Sequence, residues 1–485
     1  MFLSVSVLAV ASEAYPLVKT GGLADVVGAL PAALAAEGID VRTLVPGYPE
    51  VLRAVDNHTV VRQFAMLHGG PAQVLAARIA QTRMFVLDAP HLFDRPGNPY
   101  VAPDGKPWAD NEKRFAALAR VAATLACDGV DDFQPQIVHA HDWQAGLVPA
   151  YLHFMAGRRP RSVMTIHNLA FQGLFPASVF ASLGLPNEAF AIDGLEYYGD
   201  IGYLKAGIAF ADNVTTVSPT YAAEIRTPEG GMGLDGLLRK RSDVLLGIRN
   251  GIDEVVWDPA NDPYLFARYD ANTLEARRQN KAWLQRHLGL DVDVGAPLFI
   301  VVSRLTAQKG SDLVLEALPV LVRRGAQLAV LGTGDTELEQ RFKAAAEANP
   351  GRVAVEICFD ESTAHRMQGA ADVLLMPSRF EPCGLTQLIS LRYGVVPVVG
   401  RVGGLADTVV DANEMALAGG AGTGVQFAPV SSEMLECAID RTCDLWRDPV
   451  QWRRMQKRGM HTDVSWRAPS RAYAALFRAL ASAER

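Results

Sequence analysis

The chain has 485 residues, a length that predicts two to four domains, each able to bury its own core. Hydrophobic residues make up 49% of it and charged residues 20%, a balance that excludes a disordered or fibrous protein. The formal charge is −7 and no block of Lys or Arg occurs, which argues against nucleic acid as a partner because polyanion binders carry a basic surface. A neutral or small partner is favoured.

The cysteines and apolar runs indicate a cytoplasmic protein. The five cysteines form no CxxC pair, so reduced thiols are expected at Cys127, Cys358, Cys383, Cys437 and Cys443. The apolar run 1–11 lacks the basic segment of a signal peptide and predicts a strand instead. No apolar stretch approaches the roughly 20 residues that span a bilayer. We therefore expect a soluble protein with no membrane partner.

The first half of the sequence alternates short apolar runs with amphipathic segments, the pattern of strands joined by helices. Runs rich in Val, Leu and Ile suit strands that are buried on both faces of a parallel sheet. We predict strands at 4–11, 40–46, 84–88, 137–140, 163–166, 214–217 and 244–248. Helices are predicted at 22–37, 111–127 and 145–156, with a short one from Tyr221.

A second region begins near Pro297 and repeats the alternation. Strands are predicted at 298–303, 327–331, 353–358, 373–376 and 395–399, and helices at 312–324, at 337–348 and from Ser362, Gly384 and Gly403. Such alternation gives right-handed crossovers, so each region predicts a doubly wound, Rossmann-like parallel sheet. The predicted fold class is α/β with domains 1–250 and 251–460, followed by an amphipathic helix within 461–485 that packs back on the first domain.

Open α/β sheets bind ligands outside the carboxyl ends of their strands, so polar residues that follow strands are candidate site residues. Lys19, Thr20, Gly21 and Gly22 follow the first strand and enter a helix. Adjacent glycines let a ligand approach the backbone, the helix N-terminus favours anions, and Lys19 adds a cation for a phosphate. A tight turn with a solvated lysine explains the same residues. The spacing is not that of a Walker A loop.

Two histidines and an aspartate end another strand, as His139, His141 and Asp142. Alternation along the strand puts both histidines on one side, with Asp142 opposed to them or already in the loop. No further ligand cluster completes a metal site, so we expect no metal. Asp142 is a candidate for facing a substrate, and His167 follows a neighbouring strand at an equivalent place. A structural hydrogen-bonding role is the alternative for His167.

Two cations flank the loop after the first strand of the second region. Arg304 and Lys309 suit a diphosphate, since a bidentate guanidinium and a compact ammonium complement one another. A surface charge pair is the alternative. The short glycine loop at 332–335 lacks a third glycine and predicts a simple turn.

A carboxylate and a glycine lie in a later loop between a strand and a helix, at 379–386. Glu381 is suited to accept from a sugar hydroxyl, and backbone N–H groups of Gly384 to Thr386 suit sugar or phosphate oxygens at the helix start. Cys383 has no histidine partner that the sequence identifies, so thiol catalysis is not expected.

Together these motifs resemble the bacterial glycogen synthase and plant starch synthase family. The resemblance runs along nearly the whole chain, through 19–31 (KTGGLADVVGALP), 139–143 (HAHDW), 165–173 (TIHNLAFQG), 218–224, 250–253, 303–310, 378–387 (SRFEPCGLTQ) and 403–408 (GGLADT). It implies a GT-B glycosyltransferase whose two Rossmann-like domains face a central cleft. It also implies transfer of glucose from ADP-glucose to the non-reducing end of a glycogen or maltooligosaccharide acceptor, with retention of configuration and with no metal or other cofactor.

The resemblance assigns catalytic roles to Asp142, His167, Arg304, Lys309 and Glu381. It implies that Arg304 and Lys309 hold the diphosphate and stabilise the leaving ADP, as a metal does in other glycosyltransferases. Glu381 is expected to grip the donor glucose, and Asp142 and His167 to lie near the reacting carbon. The acceptor hydroxyl then attacks from the face that ADP leaves. A covalent intermediate, for which Asp142 is the candidate, is the alternative.

Substrate binding is implied for a second group of residues, with Lys19 contacting the nucleotide sugar from the first domain. The others are Glu13, Gly21, Gly22, Asn250, Phe359, Cys383, Gly384, Leu385 and Thr386.

The sequence departs from patterns common among related enzymes at two places. Ile389 stands where related retaining enzymes often have a second glutamate, as is usual in this family. Cys358 and Phe359 stand where the family frequently has Gly-Tyr near the adenine, so the ring remains but its hydroxyl is lost.

Other functions remain compatible with these residues. A transferase that uses UDP-glucose or another acceptor would need similar phosphate and glucose contacts. A nucleotide-sugar or glucan-binding protein without turnover is the alternative from another class. A glucan phosphorylase shares the general architecture but needs a lysine-linked pyridoxal phosphate. The sequence does not define the oligomeric state.

Overall fold

The computed structural model describes residues 5–55, 57–79 and 82–483 and divides the chain into two compact units. Unit 1 is Met1–Asn250 with Trp466–Arg485, and unit 2 is Gly251–Ser465. Ser4, where the first strand was predicted to begin, lies outside the described residues. None of the described helices combines the length and the apolar character needed to cross a membrane.

Unit 1 is built on a large sheet and a small one. Its strands are β1 Val5–Val10, β2 Ile39–Pro46, β3 His58–Leu67, β4 Gly70–Ile79, β5 Thr82–Asp88, β6 Ile137–His141, β7 Arg161–Ile166, β8 Leu174–Phe175, β9 Glu196–Tyr197, β10 Asp200–Gly202, β11 Asn213–Thr216 and β12 Leu245–Gly247. Over the described residues the large sheet has the order β12-β11-β7-β6-β1-β2-β5-β4-β3, and the small sheet the order β8-β10-β9.

The large sheet is parallel from β12 to β5 and ends in an antiparallel hairpin. The strands β1, β2, β5, β6, β7, β11 and β12 confirm the predicted parallel series. The hairpin of β3 and β4 was not predicted, because most of the residues of β3 are exposed and polar residues interrupt its apolar ones. The order of the parallel strands is that of a Rossmann sheet, and it reverses direction between β1 and β6.

The helices of unit 1 within 1–250 pack on its large sheet or on one another. They are α1 Gly22–Ala36, α2 Pro49–Ala54, α3 Pro90–Phe93, α4 Asn111–Asp128, α5 Val148–Phe154, α6 Phe180–Leu183, α7 Tyr203–Phe210, α8 Pro219–Glu224 and α9 Asp235–Lys240. Alanine and leucine of α4 are buried along most of its length, which explains why its apolar pattern was predictive. The helix predicted at 145–156 is shorter, because a 3₁₀ turn at Trp143–Ala145 precedes it.

Unit 2 has one parallel sheet with helices alternating along the chain. Its strands are β13 Leu298–Val302, β14 Gln327–Leu331, β15 Val353–Glu356, β16 Val373–Met376, β17 Val396–Gly400 and β18 Val425–Phe427. The order in the described sheet is β15-β14-β13-β16-β17-β18, again the Rossmann order, with its reversal between β13 and β16. Five of these strands confirm the predicted series, and β18 is added to it.

The helices of unit 2 include several that were not predicted. They are α10 Arg277–His287, α11 Ser311–Arg323, α12 Thr336–Ala348, α13 Glu361–Ala370, α14 Thr386–Arg392, α15 Gly403–Thr408, α16 Glu414–Ala418, α17 Ser432–Trp446 and α18 Pro449–His461. The predicted helices correspond to α11 to α15. The polar helix α10 and the helices from α16 to α18 were missed because they follow no recognised motif.

A last helix, α19 Arg467–Ser482, returns the chain to unit 1. Its apolar face packs on α1, β1 and β6. The rings of Tyr473 and Phe477 are buried in a cluster with Val7 and Leu30, and both lie within 5.5 Å of the His139 ring. The helix therefore completes the core behind the strands that flank the reversal of strand order.

Phe477→Ala tests this packing. Loss of a fully buried ring should lower the free energy of unfolding of unit 1 by about 3–5 kcal/mol, because it leaves a cavity in the core. Hydrogen exchange read by mass spectrometry should show reduced protection in β1 and β6, with unit 2 unchanged. Ala472→Ser, on the exposed side of the same helix, is the matched control. Unaltered protection of both strands would contradict the assignment.

Candidate functional site

Most of the predicted site residues lie in the loops that follow the strands flanking each reversal of strand order, whereas His167, Asn250 and Phe359 follow other strands. In unit 1 these loops follow β1 and β6 and carry Glu13 and Asp142. In unit 2 they follow β13 and β16 and carry Lys309 and Glu381. Loops leave in opposite directions at such a point and open a crevice at the carboxyl edge of the sheet. Each unit therefore offers a binding crevice of its own.

Glu13 holds the glycine-rich loop of unit 1 in place. Its carboxylate is buried and accepts hydrogen bonds from the backbone N–H of Thr20, from Thr20 Oγ1 (2.6 Å) and from the Tyr100 hydroxyl. The Tyr100 hydroxyl also lies 2.7 Å from Ser12 Oγ. A buried carboxylate with three donors is well satisfied, so Glu13 fixes the loop that leads into α1.

The loop presents its glycines to solvent. Gly21 and Gly22 are exposed at the start of α1, and a Cβ placed on Gly21 would meet no atom within 4 Å. The Lys19 ammonium lies 2.8 Å from Asp25 Oδ1 and 5.2 Å from the centre of the Tyr15 ring. The backbone N–H groups at the helix start and this cation together favour an anionic or strongly polar ligand.

Asp142 and His167 are brought together by the fold. Asp142 is buried and has a φ of 55°, a region that non-glycine residues rarely adopt. Its Oδ1 accepts from the backbone N–H of His167 (2.7 Å) and of Asn168 (3.4 Å). Burial raises the pKa of the Asp142 carboxyl to about 7, with a smaller contribution from the negative charge of Glu13, while the two backbone bonds oppose the shift. Near neutral pH this carboxyl therefore exists in both protonation states.

The buried rings of His139 and His141 and the half-buried ring of His167 line the same part of unit 1. The rings of His139 and His141 are 4.0 Å apart, which confirms that they share one side of β6. His141 Nδ1 lies 2.9 Å from His167 Nε2, and His139 Nε2 lies 2.6 Å from Thr165 Oγ1. Burial lowers the pKa of His139 and of His167 to about 3 and that of His141 well below its ordinary value, so all three are neutral at pH 7. Among the described residues, no group of three or more His, Cys, Asp or Glu is arranged to hold a metal ion.

In unit 2 the loop that carries Lys309 contacts the loop that carries Glu381. The Lys309 ammonium lies 2.6 Å from Glu381 Oε2, which also accepts from Ser378 Oγ at 2.9 Å. The backbone N–H of Arg379 donates to the Gln308 carbonyl, which ties the loops together. The Glu381 carboxylate is buried, whereas Arg304 is exposed at the other end of its loop.

The glycine loop after β14 braces the Arg304 loop. A Cβ on Gly332 would collide with the Ser303 carbonyl, and one on Gly334 with the Leu305 carbonyl. The backbone N–H of Leu305 donates to the Thr333 carbonyl at 2.9 Å. The glycines at 332 and 334 therefore permit two loops to pack together, a tighter role than the simple turn that was predicted.

The side chain of Gln387 stabilises the loop from Cys383 to Thr386. Its amide nitrogen donates to the carbonyls of Cys383 (3.0 Å) and Gly384 (2.9 Å), and Gly384 has a φ of 71°. Leu385 immediately precedes α14, which begins at Thr386. The N–H groups of this helix start are therefore presented by a backbone whose carbonyls are already engaged.

Phe359 and Asn250 lie apart from these clusters. Phe359 follows β15 at the carboxyl edge of the unit 2 sheet, and its side chain is 73% exposed. Asn250 ends the first stretch of unit 1, and its Oδ1 is buried with no hydrogen-bond partner in the described part of the chain. The exposed Phe359 ring is available for stacking with a ligand, whereas the Asn250 Oδ1 atom is closed off from solvent.

Sequence reasoning missed several residues that position the site. Tyr100 lies in a segment without a motif, 87 residues from its partner Glu13, so no local signal identified it. Thr20, Ser378 and Gln387 lie inside motifs that were recognised, next to residues that were singled out. Their hydroxyl and amide groups were the available signal.

Asp142→Asn tests the charge state of this carboxyl. The asparagine retains the acceptor for the His167 and Asn168 N–H groups but cannot ionise. The pKa of Asp142 is about 7 in the folded protein and 3.8 in the unfolded chain. The free energy of unfolding of the native protein therefore falls as the pH rises from 4 to 7, and this contribution stays constant at higher pH. The advantage of the asparagine variant should therefore grow to about 4 kcal/mol at most by pH 8. Calorimetric midpoints of both proteins at pH 5 and pH 8 measure it, and a pH-independent difference would contradict the raised pKa.

Two family profiles match this chain. The one described as "Starch synthase catalytic domain" matches residues 6–240, and the one described as "Glycosyl transferases group 1" matches residues 289–458. The two matches fall in unit 1 and unit 2, respectively.

Similar proteins span the full chain. A glycogen synthase of Rhodopseudomonas palustris is 58% identical over 480 residues, covering 99% of this chain and 98% of that protein. A glycogen synthase of Acidiphilium cryptum is 59% identical over 98% of this chain and 99% of that protein. The catalytic domain of starch synthase IV from Arabidopsis thaliana, bound to ADP and acarbose, superposes with a TM-score of 0.90 at 30% identity, covering 99% of this chain and 100% of that one. The chain therefore belongs to the glycogen synthase and starch synthase family of GT-B glycosyltransferases.

Proposed function

We propose that this enzyme transfers glucose from ADP-glucose to the non-reducing end of an α-1,4-glucan, with retention of configuration and without a metal. The observation that carries the proposal is the Lys309–Glu381 pair at the reversal point of the Rossmann sheet of unit 2, with the exposed Arg304 at the other end of the Lys309 loop. A dinucleotide-type crevice that combines cations with a carboxylate suits a sugar linked to a diphosphate. The ADP and acarbose bound to the starch synthase IV domain support the same substrate class.

Unit 2, within 251–460, binds the donor in this proposal. Arg304 and Lys309 contact the diphosphate, and the N–H groups from Gly384 to Thr386 bind sugar and phosphate oxygens. Both bonds to Glu381 that are described above end on Oε2, and we assign Oε1 to a glucose hydroxyl. The exposed Phe359 ring is assigned to the adenine.

Unit 1, within 1–250, supplies the groups that act on the acceptor and on the reacting glucose. Lys19 and the N–H groups at Gly21 and Gly22 contact the nucleotide sugar. Asp142 and His167 orient the reacting hydroxyls, since a neutral imidazole and a carboxyl that titrates near pH 7 both donate and accept hydrogen bonds. The C-terminal helix, within 461–485, packs on this unit and stabilises it.

In the reaction, the bond between the anomeric carbon and the ADP oxygen breaks while the acceptor 4-hydroxyl forms the new bond on the same face. A leaving phosphate oxygen takes the hydroxyl proton. Arg304 and Lys309 stabilise the negative charge that develops on the departing ADP. We favour this direct route over a covalent intermediate on Asp142, because Oδ1 of that carboxyl is already engaged by backbone N–H groups.

We propose a cytoplasmic location. No disulfide joins the five cysteines, all of which lie in the described part of the chain, and this supports a reducing compartment.

Donor competition tests the reaction. Radiolabelled glucose should enter glycogen from ADP-glucose faster than from UDP-glucose, and an excess of EDTA should leave the rate unchanged. Release of ADP measured in the same samples should match the incorporated label. A preference for UDP-glucose would overturn the assigned donor, and inhibition by EDTA would overturn the metal-free reaction. Binding of ADP-glucose without incorporation would identify a binding protein instead.

Arg304→Ala and Lys309→Ala test the phosphate contacts. Each should lower kcat by about 10²-fold or more, because each removes a preorganised positive charge. Lys309→Ala should also lower the free energy of unfolding by about 3–5 kcal/mol, because Glu381 stays buried without its cation. Arg304→Ala, at an exposed position, should leave stability unchanged.

The exposed Lys343 of α12 provides the matched control, since Lys343→Ala removes a positive charge of unit 2 elsewhere. Steady-state kinetics with saturating glycogen and calorimetric unfolding measure both effects. Turnover near that of the native enzyme in both Arg304→Ala and Lys309→Ala would refute the phosphate role.

A further inference from the structure

A cavity of about 420 Å³ lies in unit 1 at the edge of the large sheet that the proposed reaction does not use. Arg42 and Arg83 lie near the amino ends of β2 and β5, whereas Glu13 and Asp142 follow the carboxyl ends of their strands. From Arg83 to Asp88 at its carboxyl end, β5 spans roughly 16 Å. The cavity is therefore separate from the candidate site in unit 1. Its polar lining consists of Arg42, Asn57, His58, Thr59, Arg78 and Arg83.

The three arginines form one row across three neighbouring strands. Arg78 of β4 lies directly opposite Arg83 of β5. Arg42 of β2 lies beside Arg83, because these two residues precede the paired residues Thr43 and Met84 by one position. Residues that face each other in adjacent strands project from the same side of a sheet. Three guanidinium groups therefore share one face at the rim of the cavity.

This row carries more positive charge than its contacts within the described residues balance. Like charges that face each other directly destabilise a sheet. In the described part of the chain the row has one ion pair, from Arg42 Nη2 to Asp132 Oδ1 at 3.0 Å, and the Asp132 side chain is 77% exposed. Arg42, with a smaller contribution from Arg83, lowers the pKa of the Asp132 carboxyl. One exposed carboxylate thus faces several cations, and the row keeps an excess of positive charge.

The Arg42 side chain is held in a fixed position. Its guanidinium carbon lies 4.3 Å from the centre of the Phe133 ring and 6.0 Å from that of Phe85. The Arg42 side chain is 11% exposed, and its Nε is buried without a hydrogen-bond partner in the described ranges. A planar guanidinium that is already stacked and oriented loses little freedom when it binds an anion.

The remaining lining suits a small molecule with hydroxyl groups. In the row of residues next to the arginines, Ala76 lies between Thr59 and Phe85, and its small side chain leaves space above the sheet. The exposed Asn57 and Thr59 side chains donate and accept hydrogen bonds at one end of this space. Guanidinium groups bind phosphate oxygens in bidentate pairs. The volume lies within the range of small-molecule sites, so it favours a single phosphorylated molecule over a polyanion.

We propose that Arg42, Arg78 and Arg83 form a binding site for a small phosphorylated metabolite. Its phosphate contacts the arginine row, and its other polar groups contact Asn57 and Thr59. The site is distinct from the crevices to which the donor and the acceptor are assigned, and it has no part in the transfer step. It does not depend on the proposed function.

Calorimetric titration of the full chain, without donor or acceptor, tests the site. The probes are inorganic phosphate, ribose 5-phosphate and AMP, which separate free phosphate from a sugar phosphate and a nucleotide. At least one probe should bind the native protein with a Kd of about 1 mM or lower. That Kd should rise about tenfold in Arg78→Gln and in Arg83→Gln, because each variant loses a charged hydrogen bond to phosphate.

Thermal unfolding provides a second readout. In a phosphate-free buffer of low ionic strength, Arg83→Gln should unfold at the same temperature as the native protein or at a higher one, because it removes one of two facing cations. The probe that binds most tightly should raise the unfolding temperature of the native protein and leave that of Arg83→Gln nearly unchanged. A loss of binding through misfolding would instead lower the unfolding temperature without any probe.

Two further variants separate this site from other cations of the chain. Arg239→Gln removes an exposed guanidinium of α9 and should bind the probes as the native protein does. Arg304→Ala alters the proposed donor crevice and should keep the binding at the arginine row.

The site would be overturned if no probe bound, or if Kd stayed unchanged in both Arg78→Gln and Arg83→Gln. Binding that is lost only in Arg304→Ala would place the probe in the crevice of unit 2 and would also overturn it. Tighter binding of a single-stranded oligonucleotide than of any small probe would make the row a polyanion surface instead. Because neither donor nor acceptor is present, a chain that fails to transfer glucose can still show the predicted binding.

Discussion

The site depends on one constraint of parallel sheets, the reversal of strand order. In unit 1 the loops after the adjacent strands β1 and β6 run in opposite directions along the sheet, and in unit 2 the loops after β13 and β16 do the same. A crevice therefore opens between each pair of loops at the carboxyl edge of the sheet. Polar groups in these loops reach the crevice without interrupting the hydrogen bonds between the strands. The buried carboxylates Glu13, Asp142 and Glu381 all lie in these loops.

Each of these carboxylates is satisfied by a different kind of donor, and this sets what it can do. Glu13 accepts from the loop that it holds and from a tyrosine, which makes it a positioning group. Glu381 is paired with the Lys309 ammonium, so charge is balanced where a diphosphate is proposed to bind. Asp142 has neutral backbone donors alone in the described contacts, and burial therefore raises its pKa to about 7. Similar side chains thus take different roles because their surroundings differ.

The sequence predicted what local patterns encode. Strands buried on both faces appeared as short apolar runs, and the motif residues fell at their ends, which located Asp142, Lys309 and Glu381 at the sheet edges. Strand β3 was missed because it is largely exposed, and β8 to β10 because strands of two or three residues show no periodicity. The contact of Tyr100 with Glu13 joins positions 87 residues apart, and such pairings arise only in the folded chain.

The glycines at 332 and 334 have a structural role that the sequence motif alone did not reveal. A glycine loop next to a sheet edge is compatible with a ligand contact or a simple turn, yet here the absent side chains admit the backbone of Ser303 to Leu305. This packing, together with the bond from Leu305 to Thr333, fixes the backbone from which Arg304 projects. In the proposed reaction, a cation held in place in this way needs less reorganisation when negative charge develops on the departing ADP. The glycines therefore support the proposed role of Arg304 indirectly, because a side chain at either position would displace the loop that carries it.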